Sequence, residues 1–341
     1  MRETLERALG NSGVATAALK LFAGRADRLV VLAYHRILDV PDEDRFMQDP
    51  ELVSASVADF ERQMRYVQNH CTPLKLADVI RHLDSGEPLP RRSVVVTFDD
   101  GHVDNYTQAF PVLRKLGMSA CIFLSTDYLD TDRMFWFDRA VLLLRSAPDG
   151  EWMVGSTPLR LDSSVASRRD AALQLLRALK RVPNEDRLQQ LRALEDLFGA
   201  HVKPADLPSR SALTWAQVSE MAAAGIEFGS HTCSHPILAQ LDDDSLRREL
   251  VDSKAAITRH LGAPVDIVAY PIGKFGAFNN RVIAASRAAG YRLGLTYESG
   301  INHLTDLSDP ASRFELRRLA IERYTSFPQF KAQLAFPALL S

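Results

Sequence analysis

Two adjacent carboxylates, Asp99 and Asp100, end the stretch Ser93-Val-Val-Val-Thr-Phe-Asp-Asp-Gly101. The apolar and β-branched residues before them read as a short buried strand, which Gly101 breaks by letting the backbone turn. Like charges at the mouth of such a strand repel each other and lose hydration, a cost that a bound cation relieves. Taken alone the stretch is a solvated Asp-Asp-Gly turn; a metal reading needs more ligands. His231-Thr-Cys-Ser-His235 offers two imidazoles four positions apart. On one helical turn they face the same way and can reach one ion. Two histidines and one carboxylate suit a catalytic zinc with a position open for water. If Asp100 is the ligand, Asp99 stands free beside the ion, placed to take a proton from the activated water.

Two further features bear on the same chemistry. Ala269-Tyr270-Pro271-Ile272-Gly273 follows a strand, and its proline and glycine hold a fixed turn. The Tyr270 peptide N–H there is a candidate oxyanion donor, with a plain strand end as the structural alternative. His35 stands just past the first strand. It is either an ordinary core or surface histidine or a general acid for a leaving group at the same rim.

These residues need strands that end together. Residues 29–34 read as a buried strand. Ser56 with Asp59 makes a capping box that opens a helix to about residue 70. A short strand at 73–76, a helix at 77–84, the Asp-Asp strand, a helix at 104–116 and a strand at 119–124 follow. From 134 to 212 the periodicity is helical throughout, over 134–146, 165–181 and 184–198. Alternation resumes with a helix to 224, a strand at 226–230, a helix at 243–261, a strand at 266–270, a helix at 278–289, strands at 291–296 and 316–321, and a helix at 326–335. Strand–helix–strand units predict a parallel α/β sheet or barrel interrupted by a helical insertion. The expected divisions are an N-terminal helical segment 1–28, a first barrel part 29–133, the insertion 134–212 and a second barrel part 213–341. In the insertion, Met134-Phe-Trp-Phe137 reads as core packing, with sugar stacking as the alternative.

The 341 residues are 46% hydrophobic and 25% charged, with a net charge of -2. That balance predicts no nucleic-acid partner. Three widely spaced cysteines make neither a disulfide framework nor a structural zinc site. No run of about 18 apolar residues spans a membrane, and acids stand where a signal peptide's basic region would be. The expected location is cytoplasmic or membrane-peripheral.

Thr97-Phe-Asp-Asp-Gly101 together with Ser230-His-Thr-Cys-Ser-His235 resembles the first two motifs of the polysaccharide deacetylase (NodB-homology) carbohydrate esterases. Ala33-Tyr-His35, Phe60–Tyr66, Asp104-Asn-Tyr106, Phe110–Leu113, Tyr270-Pro-Ile-Gly273 and Gly290-Tyr291 are similar to an exopolysaccharide-associated branch of that family. The resemblance covers roughly 29–125 and 213–335 and leaves the insertion out. It implies a distorted (β/α)7-type barrel, Asp99 as catalytic base, and Asp100, His231 and His235 as ligands of Zn2+ or another divalent metal. The implied reaction removes N-acetyl groups from amino sugars of a bacterial polysaccharide or its precursor. An N-acetylated glycan is the implied partner, with association to a membrane periphery or to exopolysaccharide machinery.

Two departures stand out. The family's Arg-Pro-Pro element, whose arginine orients the base, is Ala269-Tyr270-Pro271 here, so Arg317 or Arg318 on the last strand is the candidate substitute. Strand alternation allows only one of them to point inward. The Leu-x-His motif that supplies the acid is Leu319-Ala320-Ile321, which leaves His35, and less well His303, as the candidate. These departures keep two alternatives open: an amidohydrolase of a small non-sugar amide, and a catalytically retired glycan binder.

Overall fold

The computed structural model describes residues 27–336. The N-terminal helical segment expected over 1–28 lies outside this range, except that Arg28 already belongs to the first strand. The strands, in chain order, are β1 (Arg28–Tyr34), β2 (Arg36–Ile37), β3 (Val53–Ala55), β4 (Thr72–Pro73), β5 (Ser93–Phe98), β6 (Cys121–Leu124), β7 (Gly150–Val154), β8 (Thr157–Leu161), β9 (Glu227–Ser230), β10 (Ile267–Ala269), β11 (Leu293–Leu295), β12 (Asn302–His303) and β13 (Leu319–Ala320).

The described residues form two compact units, one of residues 27–39, 51–130 and 213–336, the other of 40–50 and 131–212. In the first, strands run in the order β11-β10-β9-β6-β5-β1, all neighbours parallel. Leu295 of β11 bridges Leu316 in parallel, and β13 pairs in parallel with β1. The segment 316–320 therefore joins both edges and closes a ring of seven parallel strands, the distorted (β/α)7 barrel. Short β4 pairs with β5, and β12 runs antiparallel to the start of β1.

Each ring strand is buried on both faces, as parallel strands covered by helices must be. Leu29, Val31, Val95, Cys121, Phe123, Ile267, Leu293, Leu295 and Leu316 pack together on one face. Val30, Leu32, Tyr34, Val94, Val96, Phe98, Ile122 and Leu124 pack on the other, with Phe60, Val218, Leu250 and Phe330 from the helices. The helix Val57–His70 starts at the expected Ser56 cap, whose Oγ accepts from Asp59 N at 3.1 Å and donates to the Asp59 carboxylate at 2.8 Å in place of the full capping box. The helix expected over 104–116 instead begins as a π-helical turn, Asn105–Ala109, before Phe110–Leu116. Pro111 supplies no N–H for a regular ladder, and Asp104 is tied to β2 by accepting from Arg36 Nε (2.8 Å) and Ile37 N (3.0 Å).

The second unit holds helices Trp136–Ser146, Val165–Leu179 and Asn184–Phe198, close to expectation. It is not all helical, however: β7 and β8 form an antiparallel hairpin that helical periodicity could not announce. Phe135, Trp136 and Phe137 are buried. Phe135 stacks on Phe137 with centroids 5.4 Å apart, and the Arg187 guanidinium lies over Trp136, so the cluster is core. No helix among the described residues is long and apolar enough to cross a membrane.

Candidate active site

The site stands on the inner register of the ring. Leu29, Val31, Val95 and Leu316 face inward, and side chains repeat every second residue along a strand. Continuing that step carries His35, Thr97, Asp99 and Arg318 inward at the carboxyl end, and from Gly229 it carries His231. Asp100 should then face away. It does not, because its backbone takes φ 71 and Gly101 continues at φ 78, which turns both adjacent carboxylates toward the same space. A Cβ on Gly101 would also come within 2.8 Å of Leu124 Cδ2.

Asp99 is 2% exposed. Arg318 Nη1 and Nη2 donate to its two oxygens at 2.7 and 2.8 Å, and Arg318 Nε donates to Thr296 O at 2.6 Å. Burial raises the Asp99 carboxyl, but the guanidinium outweighs it and holds the group below the usual aspartate value. Arg317 faces out, its Nη1 3.4 Å from Ser299 O, and takes no part. Of the two candidate arginines the barrel register selects Arg318.

Asp100 is 1% exposed. Its Oδ1 lies 3.2 Å from His235 Nε2 and 3.5 Å from His231 Nε2, and its Oδ2 lies 3.3 Å from His102 Nε2. One ligand atom each of Asp100, His231 and His235 falls within 4.8 Å of the others. His231 Nδ1 stands 2.8 Å from Ala269 O. A carbonyl only accepts, so Nδ1 carries the proton and Nε2 presents its lone pair to the cluster. Burial pushes His231 down to about 4, which keeps the ring neutral and able to ligate. Asp100 Oδ1 is buried and accepts no hydrogen bond. An orphaned carboxylate oxygen facing a neutral imidazole lone pair suits a divalent cation.

The histidine pair does not sit on a helical turn. Residues 231–237 form a loop in which Thr232 and His235 take φ 69 and 58, so tertiary contacts bring the rings together. Glu249, on the helix Asp243–Leu261, fixes that loop: its carboxylate accepts from Cys233 N (2.7 Å), Ser234 N (3.0 Å) and Ser234 Oγ (2.6 Å).

The Tyr270 N–H is not a free oxyanion donor, because it donates to Leu295 O at 3.0 Å as part of the β10–β11 ladder. Pro271 and Gly273 do make the fixed turn. Gly273 N donates to Pro271 O at 2.7 Å, Ile272 and Gly273 take φ 63 and 55, and a Cβ on Gly273 would lie 2.6 Å from Tyr297 N. His35 Nε2 lies 3.9 Å from Asp99 Oδ2, with its ring 5.5 Å from that of Tyr297. Burial lowers its pKa, against the pull of both aspartates. His303 pairs with Arg28 and stands 3.7 Å from Asp27, at the amino end of the barrel, and is out of reach. A cleft of about 1010 Å³, lined by Ile80, Asp84, Phe228 and Arg292, also opens at the amino ends, away from these groups.

His102, Glu249 and Tyr297 escaped the sequence reading. His102 directly follows Asp-Asp-Gly and was visible there; Glu249 and Tyr297 carry no local signal.

The buried Asp100, His231 and His235 thus stand together at the carboxyl rim of a seven-stranded parallel barrel. Residues 86–294 match the polysaccharide deacetylase family, and the chain belongs to it. The Bacillus subtilis (strain 168) protein YxkH, itself named after the family, is 24% identical over 279 residues, 80% of this chain and 66% of YxkH. The Escherichia coli (strain K12) poly-beta-1,6-N-acetyl-D-glucosamine N-deacetylase is 31% identical over 103 residues. That alignment spans 30% of this chain and 14% of the enzyme. The fold is shared with the Streptococcus pyogenes deacetylase PplD in complex with acetate, at TM-score 0.58 and 20% identity over 89% of this chain and 96% of that one. IcaB from Ammonifex degensii superposes at 0.55 with 19% identity over 91% and 97%.

Proposed function

We propose that the protein hydrolyses N-acetyl groups on amino sugars of a bacterial exopolysaccharide or its precursor, with a divalent cation such as zinc held by Asp100, His231 and His235. The observation that carries this reading is the buried three-residue cluster standing beside a carboxylate clamped by an arginine. Relatives named for deacetylation of poly-beta-1,6-N-acetyl-D-glucosamine support the substrate class. A cation bound there would supply Lewis acidity toward an amide carbonyl and a water near neutral pH.

In this reading Asp99 is the base. Arg318 keeps it ionised and fixes both oxygens, so one can take the proton of a water attacking the acetyl carbonyl. His35, 3.9 Å from Asp99, takes up the proton that Asp99 has accepted and passes it to the departing sugar nitrogen as the C–N bond breaks and acetate leaves. With the Tyr270 N–H spent in the ladder and no N–H on Pro271, the oxyanion role falls to the Ile272 N–H. Gly273 N is turned back on Pro271 O. Acetate release from N-acetylglucosamine oligomers by zinc-loaded protein tests the reading. Asp99→Asn should lose the activity while retaining zinc; zinc-loaded wild type that frees no acetate from any such oligomer sinks the reading.

A further inference from the structure

The exposed large hydrophobic residues include two aromatics, Phe275 at 98% and Tyr324 at 68% exposure. Both stand on loops that leave the carboxyl ends of ring strands beside the candidate site. Phe275 follows β10, whose Ala269 carbonyl orients His231. Tyr324 follows β13, next to Arg318. Neither loop is loose. Phe275 N donates to the Glu298 carboxylate, and Glu298 O accepts from Arg318 N at 2.9 Å. The turn carrying Tyr324 is closed by Thr325 N donating to Glu322 O (2.8 Å) and Glu322 N to Thr325 Oγ1 (3.1 Å), and it is anchored by Ile321 N to Ala33 O (2.9 Å).

Between them lies Tyr297. Its N donates to Gly273 O, two residues before Phe275. Its ring stands 5.5 Å from His35 and 5.2 Å from the Arg318 guanidinium. Lys274 Nζ lies 5.7 Å from the same ring, and Arg323 covers one side of Tyr324 at 5.9 Å. The three aromatic residues thus follow the rim across consecutive strands, starting at the groups that face Asp99. The hydrogen bond from Phe275 N to Glu298 fixes the backbone from which this ring stands out into solvent. Flat apolar rings flanked by cations and hydroxyls match the apolar faces and hydroxyl edges of pyranose rings.

We propose that Phe275 and Tyr324, on either side of Tyr297, form a stacking platform for sugar rings of the chain that flank the residue being deacetylated. This rests on the glycan reading of the site and gives it a direction: an arc of aromatics along the rim suits a polymer, and a small amide would not reach it.

The test compares zinc-loaded wild type, Phe275→Ala, Tyr324→Ala, Phe275→Trp and Tyr324→Phe on N-acetylglucosamine di-, tri- and pentasaccharides, β-1,4- and β-1,6-linked. Both positions are solvent-exposed, so the variants should keep the fold. The alanine variants should raise KM for the pentasaccharide about tenfold with kcat within twofold, a penalty that grows with oligomer length, and the aromatic replacements should restore it. Alanine variants indistinguishable from wild type, or a penalty equal at every length, overturn the platform. Calorimetric binding of the pentasaccharide to Asp99→Asn separates the two ideas. Binding that weakens with Phe275→Ala in that background supports the platform even if wild type frees no acetate; pentasaccharide binding unchanged by Phe275→Ala and by Tyr324→Ala overturns it even if acetate is freed.

Discussion

Arg318 holds Asp99 by two parallel hydrogen bonds, 2.7 and 2.8 Å long, across 219 positions of sequence. Both side chains are buried. The pair does structural and chemical work at once: it compensates a charge at the barrel mouth and keeps that charge in one orientation.

Removing one partner of such a pair leaves an uncompensated buried charge, which typically costs about 3–5 kcal/mol. Arg318→Met should therefore lower the urea midpoint strongly, and Asp99→Asn somewhat less. The double variant should be more stable than Arg318→Met alone. A double variant showing the plain sum of the two losses would mean the residues are not coupled in solution.

The Asp100–His231–His235 cluster should make stability depend on metal. A ligand that binds only the folded state adds about 2.7 kcal/mol at a hundredfold excess over Kd. Zinc should raise the Tm of chelator-treated protein by several degrees. His231→Ala and His235→Ala should each abolish that rise, and chelation should abolish acetate release until metal is restored.

His102 is fully buried with Nε2 3.3 Å from the second oxygen of Asp100. Partners behind a metal ligand usually contribute 10–100-fold to affinity. His102→Phe should weaken zinc binding by about tenfold or more in a chelator competition, and His102→Gln by less. Equal affinities in all three proteins would remove His102 from the site.

Glu249 holds the histidine loop by three contacts. Glu249→Gln replaces a charged acceptor by a neutral amide and should weaken zinc binding through the position of His235. Helix content by circular dichroism should stay the same, since the helix Asp243–Leu261 keeps its Asp242 cap and Gly262 terminus.

Most of the elements, and the residues that the barrel brings together at its rim, were legible in the sequence, because strand burial and helix caps are local. Ser56 caps its helix at the expected place, and the resemblance carried by Thr97–Gly101 and Ser230–His235 agrees with the family that the chain belongs to. Some outcomes depended on contacts between distant segments. Which arginine meets Asp99 followed from the register that the closing segment 316–320 takes between β11 and β1. Tyr270 lost its peptide N–H to a ladder partner that only sheet pairing reveals. The histidines converge through positive φ at Thr232 and His235, sustained by Glu249 from another helix. Sequence by itself determined the inventory, since residue type sets charge, ligation and local propensity. Tertiary structure decided the assignments, because alternation fixes a side chain's face only once the strand's register in the closed ring is known.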